Sequence, residues 1–340
     1  MAKTLFLSVS EIRKLIESVG LQTLTALLAE RIRGDFLRWQ DFQKSPRMAN
    51  HSAVGVIELM PVCDADRYAF KYVNGHPFNY KLDMPTVMGF GCLSEMATGW
   101  PLMLCEMTIL TAVRTAATSA VAARALAKTS SRTMAMIGNG AQSEFQILAF
   151  HKLLGIRSAH LFDKDPRATD RLIRNLSGVS DLVLVPCESI VSAVEGCDIV
   201  TTSTADKALA TILTAELVEP GMHLNAIGGD CPGKTELQPE ILRMGKVFVE
   251  FAEQARIEGE IQQMDPDFPV TELWEVLTKS QPGRESDSEV TIFDSVGFSV
   301  EDFSTLSLIY DLATEGDFGV ELDLVPEMTD VKDLYGLLMG

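Results

Sequence analysis

The chain has 340 residues, 46% of them hydrophobic, which suffices for roughly two domains with proper cores and excludes a short peptide or a disordered tail. Asp and Glu number 47 against 29 Lys and Arg, and the resulting formal charge of −18 repels phosphate backbones, which argues against a nucleic-acid partner. The six cysteines form no Cys-x-x-Cys pair, the five histidines lack metal-ligand spacing, and residues 1–14 hold no secretory-type apolar run, so reduced thiols in a cytoplasm are expected and neither zinc nor a membrane span is.

Ser8 with Glu11 three residues on makes a capping box, and Ile12, Leu15 and Ile16 follow at helical spacing, so the chain opens with a helix. A polar, charged stretch occupies residues 31–47. Residues 54–60, 68–73, 86–93 and 101–105 read as strands separated by turn residues such as Thr98-Gly99, a mixed α and β region with antiparallel character. Residues 108–127, Ala-rich and free of Gly and Pro, predict one long helix that bridges two domains. Short apolar strands then alternate with helical stretches, at 133–137, 159–162, 182–185, 199–202, 224–227 and 247–251, the pattern of a parallel sheet. After a polar, exposed loop at 279–288, residues 290–293 read as another strand and 300–312 as an amphipathic helix returning to the first domain. The expected fold is α/β, with one domain built from 1–119 and 299–340 and a second from 120–298.

The first strand of the parallel pattern runs directly into Gly138-Asn139-Gly140-Ala141-Gln142-Ser143. Gly138 permits a tight turn, and Gly140 lets backbone approach a pyrophosphate seated at a helix amino terminus. By itself the pattern also fits an ordinary strand-to-helix turn. Asp163, 20 residues beyond Ser143 and at the end of the next strand, adds an acceptor for a ribose hydroxyl and favours NAD over NADP. Lys164 and Arg167 close by leave room for NADP.

Ligands of such sheets lie outside the carboxyl ends of the strands, which singles out three later junctions: Thr201 to Thr204, Gly228 to Lys234, and Asp294 to Gly297. Asp230, preceded by two glycines, is a candidate acid/base beside a redox carbon, or a plain solvent-exposed turn residue. Arg47, Lys71 and Arg114 are cations set among apolar or small residues. Each alone fits a water-facing position; converging, they would clamp a carboxylate. Glu58, a lone acid in an apolar run, fits either a solvent-facing strand position or a receptor for a substrate ammonium.

Taken together, the segments Arg47 to Pro61, Tyr68 to Gly75, Leu110 to Ala117, the Gly138 turn, Asn225 to Asp230 with Gly233 to Glu236, and Phe293 to Gly297 resemble the ornithine cyclodeaminase/mu-crystallin family, over most of the chain from about Phe36 to Pro326. Three segments resemble its bacterial ornithine enzymes in particular: Ile57 to Pro61, Gly229 to Lys234, and Ile257 to Gln263. The resemblance implies a Rossmann-type dinucleotide-binding domain plus a mixed α+β substrate-binding and dimerisation domain, and a homodimer. It implies conversion of L-ornithine to L-proline and ammonia, with tightly held NAD regenerated in each turnover. It assigns Asp230, Glu58 and Lys71 to catalysis and Arg47, Lys71, Arg114, Val296 and Gly297 to the substrate. Toward NAD it assigns Thr86, Arg114, Gly138, Gly140, Ala141, Gln142, Asp163, Thr204, Asn225, Ala226, Ile227, Gly228, Lys234 and Ser295.

The implied reaction suits these residue types. A base belongs beside Cα, because a hydride leaves only once the α-amine has lost its proton, and Asp230 can serve. Three other readings stay open at this stage: a net amino-acid dehydrogenase or ketimine reductase of the same fold, a non-catalytic binding protein, and lysine or arginine as substrate, since one methylene changes pocket fit by only about 1–3 kcal/mol.

Overall fold

The computed structural model describes residues 3–205, 210–229 and 231–339; among them, two eight-stranded sheets organise the chain. The chain opens with β1 (Thr4–Leu7), a short strand the sequence reading did not anticipate, followed by α1 (Val9–Val19) and α2 (Leu21–Leu37). Ser8 caps α1 by accepting from the Glu11 N–H, but the Glu11 carboxylate does not close the box; it accepts instead from the Gly319 N–H, 3.0 Å away. α2 corrects the expectation of a merely polar stretch from residue 31. Leu24, Leu28, Ile32 and Phe36 recur every fourth residue and are buried, while the neighbouring arginines form the outer face.

The first sheet continues with β2 (Gln43–Lys44), β3 (Met48–His51), β4 (Val56–Cys63), β5 (Arg67–Gly75), β6 (Gly89–Glu95) and β7 (Pro101–Glu106). Its neighbours pair antiparallel except β1 with β7. Along β4 and β5 alternate residues face inward, so Glu58, Met60, Lys71 and Val73 are buried on one side. The expected strand at 86–93 begins at Gly89; ahead of it the Thr86 and Met88 carbonyls accept from the N–H groups of His76 and Asn74 at 2.9 and 3.1 Å without forming a regular strand. α3 (Thr108–Leu126) then crosses the molecule: Leu110 and Val113 join the core of the first sheet, and Ala123 the core of the second. Ala116 and Ala120 pack against Ala149, where small side chains allow close helix approach.

The second sheet is parallel throughout. In chain order it comprises β8 (Thr133–Ile137), α4 (Ser143–Leu154), β9 (Ser158–Phe162), α5 (Pro166–Leu176), β10 (Val183–Pro186), α6 (Ile190–Val194), β11 (Ile199–Thr202), β12 (His223–Ala226), β13 (Lys246–Val249), α7 (Ala252–Glu258), β14 (Thr271–Glu272), α8 (Leu273–Leu277) and β15 (Thr291–Asp294). The spatial order is β10-β9-β8-β11-β12-β15-β13-β14, so the strand order reverses between β8 and β11, where a crevice opens at the carboxyl ends. The loop at 279–288 is largely exposed, although the Arg284 guanidinium donates to the Leu126 carbonyl at 2.7 Å. α9 (Ser299–Gly316) does return to the first sheet, and β16 (Val320–Leu322) pairs with β1. α9 is not amphipathic over its first half: residues 299–307 are all buried, acids included. No helix among the described residues is long and apolar enough to cross a membrane, and none of the six cysteines is in a disulfide among the described residues.

Candidate active site

A cavity of about 380 Å³ lies between the carboxyl edge of the parallel sheet and the inner face of β4 and β5. Its floor on the parallel-sheet side is backbone. Gly138 has φ +92°, and a Cβ there would overlap the Ser203 carbonyl, so the β8 turn can close on the end of β11 only with glycine. At Gly140 an added Cβ would meet nothing within 4 Å, which leaves this stretch of backbone open to a ligand. The buried Gln142 Oε1 has no hydrogen-bond partner in the structure. Asp163 ties the turn together: its carboxylate accepts from the Asn139 N–H at 2.6 Å and the Asp165 N–H at 2.8 Å. Open glycine backbone, a helix amino terminus and an acid at the end of β9 fit a dinucleotide.

The opposite wall is built from buried charge. Arg47 donates to Glu58 Oε2 at 2.9 Å and to the carbonyls of Val296 and Gly297 at 2.7 Å each, and its Nε lies 3.1 Å from Glu258. Lys71, 1% exposed, donates to Asp302 at 2.8 Å. Arg114 donates to Glu301 at 2.6 Å, with its Nε 3.2 Å from Asp302. Gly297 makes this packing possible: its φ of +73° places the Arg114 guanidinium where a Cβ would otherwise stand.

Burial and the neighbouring Arg114 guanidinium depress the Lys71 ammonium to about 8, against the pull of Asp302. Burial also raises the carboxyls beneath the site, Glu301 to about 8, Glu260 to about 8 and Asp294 to about 7. Most of these acids bracket backbone. Asp294 accepts from the N–H groups of Glu260 and Ile261 at 2.8 and 3.0 Å, and Glu260 from those of Glu236 and Leu237 at 2.7 and 3.0 Å. Glu236 takes the Thr204 N–H at 2.7 Å and its hydroxyl as well. Glu250 takes the Ser295 hydroxyl and the N–H groups of Val296 and Gly297.

Fifteen of the residues singled out in the sequence line this one cavity: Arg47, Glu58, Lys71, Thr86, Arg114, Gly140, Ala141, Gln142, Thr204, Ile227, Gly228, Lys234, Ser295, Val296 and Gly297. Gly138 and Asp163 sit behind the turn and shape it. Asn225 and Ala226 are buried in β12 and do not line the cavity; the Asn225 amide donates to Gln146 of α4 and Thr201 of β11. Asp230 lies outside the described residues. Sequence reading missed Glu258, Glu301, Asp302, Glu250 and Gln254, the last of which accepts from the Arg47 N–H and donates to the Gly297 carbonyl. Two adjacent acids in the otherwise uncharged start of α9 were the available signal, since buried charges are normally paired.

A parallel sheet with a glycine turn at its switch point, facing a cleft walled by a second sheet that carries paired buried cations, defines a two-sheet Rossmann-type α/β protein with a small-molecule site. The chain belongs to the Ornithine cyclodeaminase/mu-crystallin family, whose profile matches residues 9–317. It is 54% identical over 334 residues to the ornithine cyclodeaminase of Brucella suis biovar 1 (strain 1330), covering 98% of this chain and 93% of that protein. A lysine cyclodeaminase solved for its recognition of L-lysine, L-ornithine and L-2,4-diaminobutyric acid superposes with a TM-score of 0.92 at 28% identity, covering 99% of this chain and all of that one. An archaeal alanine dehydrogenase dimer with bound NAD superposes with a TM-score of 0.86 at 30% identity, over 95% of this chain and all of that one.

Proposed function

We propose that the protein is an ornithine cyclodeaminase that converts L-ornithine to L-proline and ammonia with bound NAD and no net redox change. The observation that carries this reading is the single cavity that joins open glycine backbone on one wall to Arg47, Lys71, Arg114 and Glu58 on the other. Gly140, Ala141, Gln142, Thr204, Gly228 and Ser295 would hold NAD, which when bound would supply a reversible hydride acceptor for the substrate. Arg167 is engaged by Asp165 through hydrogen bonds of 2.9 and 3.0 Å, and Asp163 ends β9, an arrangement that suits NAD better than its phosphorylated form.

The chain's own residues hold the substrate and move its protons. Arg47, Lys71 and Arg114 grip the α-carboxylate and keep Cα facing the parallel sheet, an orientation worth several kcal/mol. Glu58 uses Oε2 on Arg47, while its buried Oε1 has no hydrogen-bond partner in the structure and suits the δ-ammonium. Asp230, assigned by the family resemblance, takes the proton of the α-ammonium and Glu58 that of the δ-ammonium; the neutral δ-amine attacks the oxidised Cα, the bond from Cα to the original nitrogen breaks, and that nitrogen leaves protonated by Asp230. Ornithine as a cation thus yields neutral proline and ammonium, with atoms and charge balanced. With Lys71 near 8, the same side chain can hold a proton or give one up around neutral pH.

We assign residues 120–298 to the dinucleotide domain and 1–119 with 299–340 to the substrate domain, a division supported by the two sheets. The outer face of the first sheet exposes Met48, Ile57 and Phe90, which suits the homodimer we propose. Six cysteines without a disulfide among the described residues suit a reducing cytoplasm as the place of action. The test is to incubate the protein with L-ornithine and catalytic NAD while measuring proline, ammonia and NADH. Equal proline and ammonia in large excess over NAD are expected. NADH in proportion to substrate consumed, without proline, would instead establish a net dehydrogenase.

A further inference from the structure

Among the described residues, Asp302 pairs with Lys71 and Arg114, two of the four Lys and Arg residues that line the cavity. One oxygen, Oδ1, lies 2.8 Å from Lys71 Nζ and 3.2 Å from Arg114 Nε. Asp302 is 1% exposed and does not line the cavity, whereas Lys71 and Arg114 do. Its place is fixed from behind, because the first half of α9 is buried on every side and Ser304, two residues on, donates to Asp35 of α2 at 2.6 Å. Two cations this close, both shielded from water, repel one another unless a carboxylate stands between them.

We propose that Asp302 is a positioning residue that acts through Lys71 and Arg114, holding the two cations side by side against the cavity wall and supplying the counter-charge their pairing needs. The charged groups facing Lys71 are Asp302 and Glu301 of α9, Arg114 of α3, Arg47 from the segment before β3, and Glu58 of β4. Burial, Arg114 and Arg47 act to strip the Lys71 proton, and Asp302 acts to keep it. Asp302 therefore governs both where the Lys71 ammonium points and the pH at which it is lost. The proposal rests on the cyclodeaminase reading only for the identity of the reaction.

The experiment follows Lys71 directly in the full chain labelled with [6-¹³C]lysine, its signal assigned by its disappearance in Lys71→Met, and titrates it in the absence of ornithine. Asp302→Asn keeps an oxygen for Lys71 while removing the charge. Its Lys71 midpoint is expected to fall by about one pH unit or more, and the alkaline limb of kcat/KM for ornithine to move down with it. Asp302→Glu keeps the charge and displaces the oxygen; its midpoint is expected to stay within about half a unit of the parent while kcat/KM falls about tenfold or more. An unmoved midpoint in Asp302→Asn, activity lowered equally at every pH, or full activity in Asp302→Glu would overturn the proposal. Should Asp302→Asn not fold, the Asp302→Glu pair of readouts decides alone. If the parent protein makes no proline, the cyclodeaminase reading has failed, and the Lys71 titration still judges Asp302.

Discussion

The two walls of the cavity are held by different physics. On the parallel-sheet side the ligand-facing surface is backbone, shaped by Gly138 and Gly140 and stapled from behind by Asp163, Glu236, Glu260 and Asp294, each of which accepts main-chain N–H groups. On the other side it is side chain against side chain, Arg47 with Glu58 and Glu258, Lys71 with Asp302, and Arg114 with Glu301. A backbone surface can bind any ligand presenting the same phosphate, whereas on the function proposed above the charged wall is matched to one zwitterion. The first suits a cofactor shared by many reactions. The second suits the substrate, and it is costly to disturb, because a buried charge that loses its partner has no water to replace it.

Removing a cation from the charged wall is expected to have the largest effect. Arg114→Ala strips Glu301 of its cation and leaves Asp302 with Lys71 alone, and a loss of about 3–5 kcal/mol in denaturant unfolding is expected along with loss of turnover. If Arg114→Ala unfolds at the parent's denaturant midpoint, the charged wall is not the stability-critical part that the contrast makes it.

The glycines sharpen the other side. Gly138→Ala forces a Cβ into the Ser203 carbonyl at a φ of +92°, so both thermal stability and NAD affinity are expected to fall. Gly140→Ala meets nothing within 4 Å in the protein, so stability is expected to hold within about 0.5 kcal/mol while NAD affinity falls about tenfold or more. Calorimetry paired with NAD titration separates the two, and equal behaviour of the variants would show that Gly140 does not approach the cofactor. A smaller effect is expected for Glu58→Gln. The amide still accepts from Arg47 but loses the charge for the δ-ammonium, so KM for ornithine should rise about tenfold with little change in NAD affinity.

What was legible in the sequence follows the same division. The strand-turn-helix at residues 133–143 and Asp163 are local features, written within 30 residues of one another, and both the turn and the following strand stand where periodicity put them. The pairs on the charged wall join residues far apart, as in Lys71 with Asp302 and Arg47 with Val296, and no spacing rule reports them. The cations themselves stood out as charges in apolar runs, and the family resemblance supplied their convergence. Glu301 and Asp302 escaped because an acid on a helix read as amphipathic counts as solvent-facing, and only the burial of the first half of α9 shows otherwise; Glu258, at the end of α7, escaped because its partner Arg47 lies more than 200 residues away. β1 and β16 were missed for a related reason: strands of four and three residues carry too little alternation to be recognised until their pairing is seen.

The smallest expected effect concerns pH. Glu301 is raised to about 8 by burial, so the folded protein keeps this proton to a higher pH than the unfolded chain, where the carboxyl titrates near its ordinary 4.5. A group raised in this way contributes stability that is complete below its unfolded value and lost as pH climbs through the folded one. Lys71, depressed to about 8, contributes in the opposite sense, but only above that value. Between pH 5 and pH 8 Glu301 therefore tilts the stability of the parent downward as pH rises. Glu301→Gln retains an acceptor for Arg114 and has no proton to lose, so its melting temperature should fall less steeply than the parent's over that window. Glu260 and Asp294 keep their own part of the slope in both proteins, and the difference between the two curves isolates Glu301. Parallel curves would mean that Glu301 is ionised throughout, fully neutralised by Arg114, and that the charged wall carries one more fixed negative charge than its burial implies.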